Sequence, residues 1–371
     1  VVPRLEAALS TALQRGYDES AVRAAIALAN AVGVSLMRPR EGHVHAEVAL
    51  ALARRRDPGG ELEAEALAAM GAVVGTDGRG ADAEARLRES LALFEALRGD
   101  DSLDAARLHA LIGMSLWSQG RFAEAEVEHR RGLAIRSRRL GPDHPDTAAS
   151  HGGLGNALLG EGRLDDALAE FGEALHSRER SLGVDHPETA NARANLARVH
   201  QAMGRNEDAA QEQLHALGSL ERSLGREHPM TAGHRLNYGI TLMRQDRLAE
   251  AEQEFRSTAE SFARSLSPEH PYTATAQFNV GKVLVRQGRV DEGIAWYQRA
   301  LVTMLAAQGP EHRDTAAIRI NLADALEAQG QLREAEVELR KAVAALTSSL
   351  GPRHVDTGGA RNNLSGLLET Q

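Results

Sequence analysis

Apolar residues recur along the chain at helical spacing, in blocks that short polar stretches rich in Gly and Pro separate. The stretch 187–204 places its apolar residues on one helix face and ends in a glycine, and a second amphipathic helix follows over 205–224. The short turn between the two helices predicts that they are antiparallel. The residues expected to face inward are Leu196, Val199, His200 and Met203 in the first helix and Ala209, Leu214, Leu217 and Leu220 in the second.

This helix pair is one unit of a repeat with a period of 42 residues. An octet reads LGPDHPDT from residue 140 and LGVDHPET from residue 182, and related octets begin at 224, 266, 308 and 350. Weaker versions begin at 98 and 56, and no linker or change of composition interrupts the series. A repeat of this length predicts an array of similar structural units that fills nearly the whole chain.

Positions 42 residues apart form what we call columns, and several columns hold only small or only apolar residues. A small residue lets two helix axes approach closely, and a single helix pair cannot bury its apolar stripe alone, so each pair must stack on its neighbours. The column of small residues in the first helix contains Ala29, Gly71, Gly113, Gly155, Ala197, Gly239, Gly281, Ala323 and Ser365.

The composition fits an all-α protein and excludes several kinds of chemistry. Aromatic residues make up 3% of the chain, whereas the helix formers Ala, Leu, Arg and Glu dominate it. The absence of cysteine excludes disulfides, thiolate metal sites and cysteine nucleophiles. A net charge of -9 from evenly mixed charges does not indicate a nucleic-acid or membrane partner. Without a long apolar run or a signal peptide, we expect a cytoplasmic protein, and the scarcity of lysine beside arginine suggests a bacterial source.

The small residue, the glycine turn and the alanine in NLARVHQAMGRNEDA and NVGKVLVRQGRVDEGIAWYQRAL resemble the tetratricopeptide repeat. The longer period and the LGxxHPxT octet are similar to the variant found in kinesin light chains and bacterial signalling proteins, and the resemblance covers residues 14–371. It implies an all-α, right-handed α-α superhelical solenoid of about eight stacked antiparallel helix pairs. It says little about function.

The repeat register predicts a single solenoid over residues 1–371. Within it we expect a half-unit helix over 1–15, degenerate units over 16–97, regular units over 98–349 and a terminal half-unit helix over 350–371. Because the chain starts with Val1 and both ends fall inside the pattern, we expect a piece of a longer protein, and the resemblance implies that this is a bacterial signalling protein.

The motifs that suggest catalysis are explained by the repeat. HGGLG at 151–155 lacks the G-x-S-x-G motif of an esterase, and GTDGRG at 75–80 lacks the Lys-Ser/Thr of a phosphate-binding loop. The histidines of the octets stand just before the first residue of a helix, and we interpret them as helix caps. We therefore predict no enzyme activity, no metal site and no cofactor. The capping histidines are His144, His186, His228, His270, His312 and His354.

One polar column is a candidate for binding. This column holds asparagine in five repeats. In tetratricopeptide repeats the residue of this column faces the concave groove and bonds the backbone of a bound peptide, and the resemblance implies the same role here. The alternative is that each asparagine bonds a neighbouring helix and specifies the stacking. Units nearer the N-terminus carry Ala27, Ala69, Leu111 and Gly153 instead, so we place a peptide site in the C-terminal half. The candidate residues are Asn195, Asn237, Asn279, Asn321 and Asn363.

Basic residues follow three of these asparagines at helical spacing: Arg198, Arg244, Lys282 and Arg286. If they line the groove, they favour a partner with acidic side chains or a free carboxylate. They could equally be solvated surface residues.

Two other columns qualify this picture. In all but one of these repeats an arginine stands two residues before the asparagine. We favour a structural role for this arginine, either in capping a neighbouring helix or in pairing with an acid. Trp296 occupies a column that is otherwise glutamate and that we take to be solvated, so it is a possible contact surface, although local packing is an alternative. The members of the arginine column are Arg193, Arg235, Arg319 and Arg361, with Gln277 between.

The sequence thus favours a non-catalytic scaffold that binds a protein or an extended peptide. One alternative is a domain that senses a peptide or small effector and controls an attached kinase or nucleotide-binding ATPase. Another is a scaffold that assembles with copies of itself. The oligomeric state cannot be predicted from these patterns.

Overall fold

A computed structural model describes residues 1–370, and the described chain consists of eighteen α-helices and one π-helical turn, with no strand. It divides into two compact units, unit 1 over Val1–Gly183 and unit 2 from Val184 onward. The helices of unit 1 are α1 (Val2–Arg15), α2 (Asp18–Leu28), α3 (Pro39–Arg56), α4 (Glu61–Thr76), α5 (Gly80–Arg98), α6 (Leu103–Ser118), α7 (Phe122–Leu140), α8 (Pro145–Gly160) and α9 (Leu164–Leu182).

Unit 2 continues the alternation of a first and a second helix. Its helices are α10 (Pro187–Ala202), α11 (Asn206–Ser223), α12 (Pro229–Arg244), α13 (Leu248–Ser265), α14 (Pro271–Arg286), α15 (Val290–Gln308), α16 (Arg313–Ala328), α17 (Leu332–Leu350) and α18 (Val355–Thr370). Together the described helices form eight pairs, each a first helix followed by a second, with α1 and α18 left over, as the repeat register predicts. Within each unit, every helix packs mainly on the helices before and after it, which is the packing of an α-solenoid.

The column of small residues admits side chains of the second helix. A Cβ atom added at Gly239 would lie 2.7 Å from the Phe255 ring, and one at Gly281 would lie 2.5 Å from the Tyr297 ring. Both rings are buried. The small residue therefore makes room for a large core side chain of the paired helix, which confirms the interpretation of this column as a packing device.

The octet histidines cap first helices. In all six octets the histidine Nδ1 accepts a hydrogen bond from the backbone N–H two residues later, at 3.1–3.2 Å. This bond satisfies one of the free N–H groups at a helix start, and proline occupies the first helical position in four of the octets. The prediction of capping is confirmed. Within the described residues no group of three His, Asp or Glu side chains could hold a metal ion.

The turn inside each pair needs a residue with positive φ, which glycine supplies at Gly204 with φ 74°. The equivalent position in the next pair is Asp246, with φ 61°. The first described pair also departs from the pattern, because α2 runs into a π-helical turn over Ala29–Ser35 that the sequence did not predict. No described helix has the length and apolar character needed to cross a membrane.

Candidate functional site

The first helices of unit 2 touch one another along one side, which we call the first-helix face. Gln201 of α10 donates to Thr241 of α12 at 2.6 Å, and His234 of α12 lies 3.1 Å from Asn191 of α10. Arg286 of α14 donates to the Met243 carbonyl of α12 at 2.6 Å. These contacts align the first helices of consecutive pairs, so residues of one column form a row across the face.

The asparagine column lies in this row with graded exposure. Asn237 and Asn363 are exposed, Asn195 and Asn321 are half-buried, and Asn279 is buried. Asn279 Nδ2 donates to the Thr275 carbonyl at 2.8 Å, and Asn321 Nδ2 donates to the corresponding Ala317 carbonyl at 2.9 Å. Each of these amides uses one N–H to bond its own helix, and an amide can make further bonds through its second N–H and its oxygen.

The other asparagines have different neighbours. The Asn195 oxygen accepts from Arg198 at 3.3 Å, and Asn363 Nδ2 lies 3.5 Å from an Asp324 oxygen. No bond joins one asparagine of the column to the next, so they do not form a continuous network between helices. Their role in binding stays a prediction.

The four basic residues beside this column are in different situations. Arg286 bonds the Met243 carbonyl and the Asp246 carboxylate at 2.9 Å, so it ties α14 to the turn that lacks glycine. Arg198 bonds Asn195. By contrast, Arg244 and Lys282 form no ion pair with any described residue, and the Lys282 ammonium lies 5.6 Å from the Phe278 ring centroid. Arg244 and Lys282 therefore offer positive charges to a partner on this face.

Sequence reasoning missed one charged residue of the face, Asp324 of α16. It follows Asn321 by three residues, so it shares a column with Arg198 and Lys282, and that shared position was the signal that could have found it. Its side chain is exposed, yet desolvation by the surrounding chain and the charge of Glu327 raise the pKa of its carboxyl group. Asp324 therefore adds a negative charge to the first-helix face.

The arginine column pairs with the glutamate column of the second helix. Arg193 bonds Glu212 at 3.0 Å, Arg319 bonds Glu338, and Arg235 lies 3.6 Å from Glu254 and 2.8 Å from Glu221. Arg361, beyond the last glutamate of the column, donates to the Pro352 carbonyl at 3.1 Å. The predicted structural role is confirmed.

The same contacts correct the interpretation of Trp296. The glutamates of its column are 10–25% exposed and ion-paired, so the expectation of a solvated column is wrong. Trp296 is half-buried against the core, and the Arg256 and Arg299 guanidiniums lie 5.1 and 4.7 Å from its ring centroid. In this repeat Trp296 replaces the glutamate of the ion pair and Gln277 replaces the arginine, so both members of the pair are replaced together. A role of Trp296 as a contact surface stays a prediction.

Comparison with protein families and solved structures agrees with this architecture. The tetratricopeptide repeat family matches residues 62–138, 104–176, 146–222, 230–301 and 277–348, which cover more than half of the chain. No curated protein matches the sequence.

Several solved structures have a similar fold. BtubC (BKLC) from P. vanneervenii is 20% identical, with a TM-score of 0.56 over 62% of this chain and 92% of that one. A Rap protein complexed with competence and sporulation factor is 14% identical, with a TM-score of 0.54 over 93% of this chain and 98% of that one. The Rap conjugation gene regulator of plasmid pLS20, in complex with the Phr* peptide, is 17% identical, with a TM-score of 0.52 over 79% and 78% of the two chains.

Proposed function

Since the chain belongs to the tetratricopeptide repeat family, we propose that unit 2 binds an extended segment of a partner along its first-helix face. The asparagine column is the single observation that carries this proposal. Five asparagines in one register on consecutive first helices require a reason, because asparagine is a middling helix former. Stacking alone is a weaker reason, since the amides of Asn279 and Asn321 bond their own helices and the contact of Asn363 with the neighbouring first helix, at 3.5 Å, is weak.

The spacing of the column suits an extended chain. Packed helices lie about 10 Å apart, close to the length of three extended residues at roughly 3.3 Å each. An extended peptide would therefore meet one asparagine at every third residue. An amide side chain donates and accepts at once, so it can bond a peptide backbone without requiring a particular sequence.

The cations of this face indicate the chemistry of the proposed partner. Arg244 and Lys282 would attract an acidic side chain or a free carboxylate, and their long-range field would accelerate association. One solved structure that shares the fold is in complex with the Phr* peptide, which is consistent with a peptide partner. We propose a non-catalytic binding role, within a bacterial signalling protein as the resemblance implies.

The proposal can be tested with synthetic dodecapeptides chosen by selecting a random displayed library on the full chain. The triple variant Asn237→Ala, Asn279→Ala, Asn321→Ala should bind them more weakly by roughly one to three factors of ten, because each lost hydrogen bond costs about 0.5–1.5 kcal/mol. Binding is measured by calorimetry, and the melting temperature should change little.

The control removes three amides from second helices instead: Gln211→Ala, Gln253→Ala, Gln298→Ala, all exposed in unit 2. This variant should bind the peptides as the unmodified chain does. A large fall in melting temperature with unchanged affinity in the asparagine variant would instead assign the column to stacking, and the proposed function would be wrong.

A further inference from the structure

The charged column of the first-helix face changes sign between two neighbouring helices. Lys282 of α14 and Asp324 of α16 occupy the same position, 42 residues apart, each three residues after an asparagine of the binding column. Lys282 is half-buried and Asp324 is exposed. A partner that lies across both helices therefore meets a positive charge and then a negative charge in the same row.

The Asp324 carboxylate is not neutralised within the protein. It forms no ion pair with any described residue, and the nearest polar contact is Asn363 Nδ2, 3.5 Å away. A hydrogen bond of that length is weak. The charge that acts on it most strongly, Glu327, is also negative. Glu212, Glu252 and Glu338 of unit 2 are paired with arginine, whereas Asp324 is not.

The surroundings of Asp324 are suited to a cation. Desolvation raises the free energy of its charged form, and a positive group placed beside it would stabilise that form. A guanidinium or ammonium group carries only donors, and thus matches a carboxylate that has no ion pair within the described residues.

We propose that Asp324 forms a subsite for a cationic side chain of the bound partner, next to the anion-attracting subsite at Lys282. This inference rests on the proposed function, because it requires a partner that lies across α14 and α16. Charge complementarity then fixes the chemistry of the partner: it carries both an acidic and a basic residue.

The helix spacing also fixes the distance between those two residues. Neighbouring first helices about 10 Å apart correspond to about three extended residues. The partner segment should therefore have an Asp or Glu and a Lys or Arg about three positions apart. The order of the two residues depends on the direction in which the segment runs, and one order should dominate.

The test compares peptide selections from one random dodecapeptide library on four full-length proteins: the unmodified chain, Asp324→Lys, Lys282→Glu and the control Glu334→Lys. Glu334 is an exposed acid of the second helix α17 with no bonded partner, so its replacement makes the same charge change away from the face. On the unmodified chain we expect enrichment of an acid and a base three positions apart.

The charge reversals should then change the two positions independently. Asp324→Lys should replace the enriched base by an acid and leave the original acid in place, whereas Lys282→Glu should replace the acid by a base. Glu334→Lys should leave the pattern unchanged. For one synthetic peptide from the first selection, Asp324→Asn should weaken binding by about 1.5-fold to fivefold, in the range of an exposed charge pair.

The outcomes separate this inference from the proposed function. If the selected peptides depend on the asparagine column but show no basic position that responds to Asp324→Lys, the cationic subsite is wrong and the groove stands. If the peptides bind equally well to the triple asparagine variant, the groove itself is wrong. Melting temperatures of all four proteins check that they fold, and a folded Asp324→Lys protein with an unchanged peptide pattern overturns the inference.

Discussion

The first helices of the two units share a framework and differ on their outward faces. In unit 2 the candidate column holds asparagine throughout, whereas in unit 1 it holds Leu111 on α6 and Gly153 on α8. Unit 1 also exposes Met114 and Trp117 on α6, where the helices of unit 2 carry charged residues at several of the matching positions. The framework residues recur in both units, so they specify the fold, and the residues that change between the units are the ones available for recognition.

Packing explains one of these differences. A Cβ atom at Gly153 would lie 2.7 Å from the His129 ring, so an asparagine does not fit there without rearrangement. His129 occupies the position that holds Phe255 and Tyr297 in unit 2, and its ring also contacts Gly113. A core substitution in α7 thus excludes the binding side chain from α8.

The two units also differ in the residue that meets the glutamate column. Unit 1 uses histidine, with His109 2.6 Å from Glu128 and His151 2.7 Å from Glu170. Unit 2 uses arginine, and Arg235 is completely buried. A guanidinium offers five N–H donors in a planar fork whereas an imidazole offers at most two, so the contact with the glutamate column differs in chemistry between the two units.

The largest predicted effect concerns this buried arginine. Arg235→Ala should lower the free energy of unfolding of unit 2 by about 3–5 kcal/mol, because it leaves a cavity at a completely buried position and removes the cation beside the half-buried Glu254. Arg235→His, which places the histidine of unit 1 at this position, should lower the free energy of unfolding by less. Denaturation of the full chain, with hydrogen exchange read in α12 and α13, measures both. Equal losses in the two variants would show that the cation at this position does not matter.

The next prediction concerns His129 of unit 1 and the dependence of its contribution to stability on pH. Burial holds the pKa of His129 at about 4, below its ordinary value of 6.5, and its Nδ1 has no hydrogen-bond partner. The unfolded chain therefore binds a proton that the folded chain does not, and stability falls as the pH drops from 6.5 towards 4. Over this window the loss attributable to His129 approaches about 3 kcal/mol.

His129→Phe should remove that acid-dependent loss in unit 1, because Phe fills the same column in other repeats and carries no titratable group. The variant and the unmodified chain are compared at pH 7 and pH 5. Hydrogen exchange of the backbone amides of α6–α8 measures the stability of this region. His234 in unit 2, whose pKa burial also lowers, stays unchanged in both proteins and serves as an internal reference. An identical pH dependence of α6–α8 in the two proteins would contradict the prediction.

The structural features that the sequence predicted are those that recur from repeat to repeat, and the features that it missed occur once. The helix pairs, the capping histidines and the packing role of the small column all have counterparts 42 residues away, and each follows from local chemistry. The tie from Arg286 to the Asp246 turn, the cation-free Asp324 and the π-helical turn at Ala29–Ser35 occur once. They depend on contacts between neighbouring helices or on local backbone geometry, which a single sequence does not reveal.

The smallest predicted effect checks that the framework is the same in both units. His144→Ala in unit 1 and His228→Ala in unit 2 should each cost about 1 kcal/mol, the usual cost of losing a helix cap, because each removes one acceptor for a backbone N–H at a helix start. The matched variants His144→Asn and His228→Asn should retain most of the stability, since asparagine is a good cap. Hydrogen exchange in the first turns of α8 and α12 gives both values in the full chain. If one alanine variant costs several times more than the other, the octets do not act as equivalent caps, and the separation of a shared framework from a variable face must be abandoned at that position.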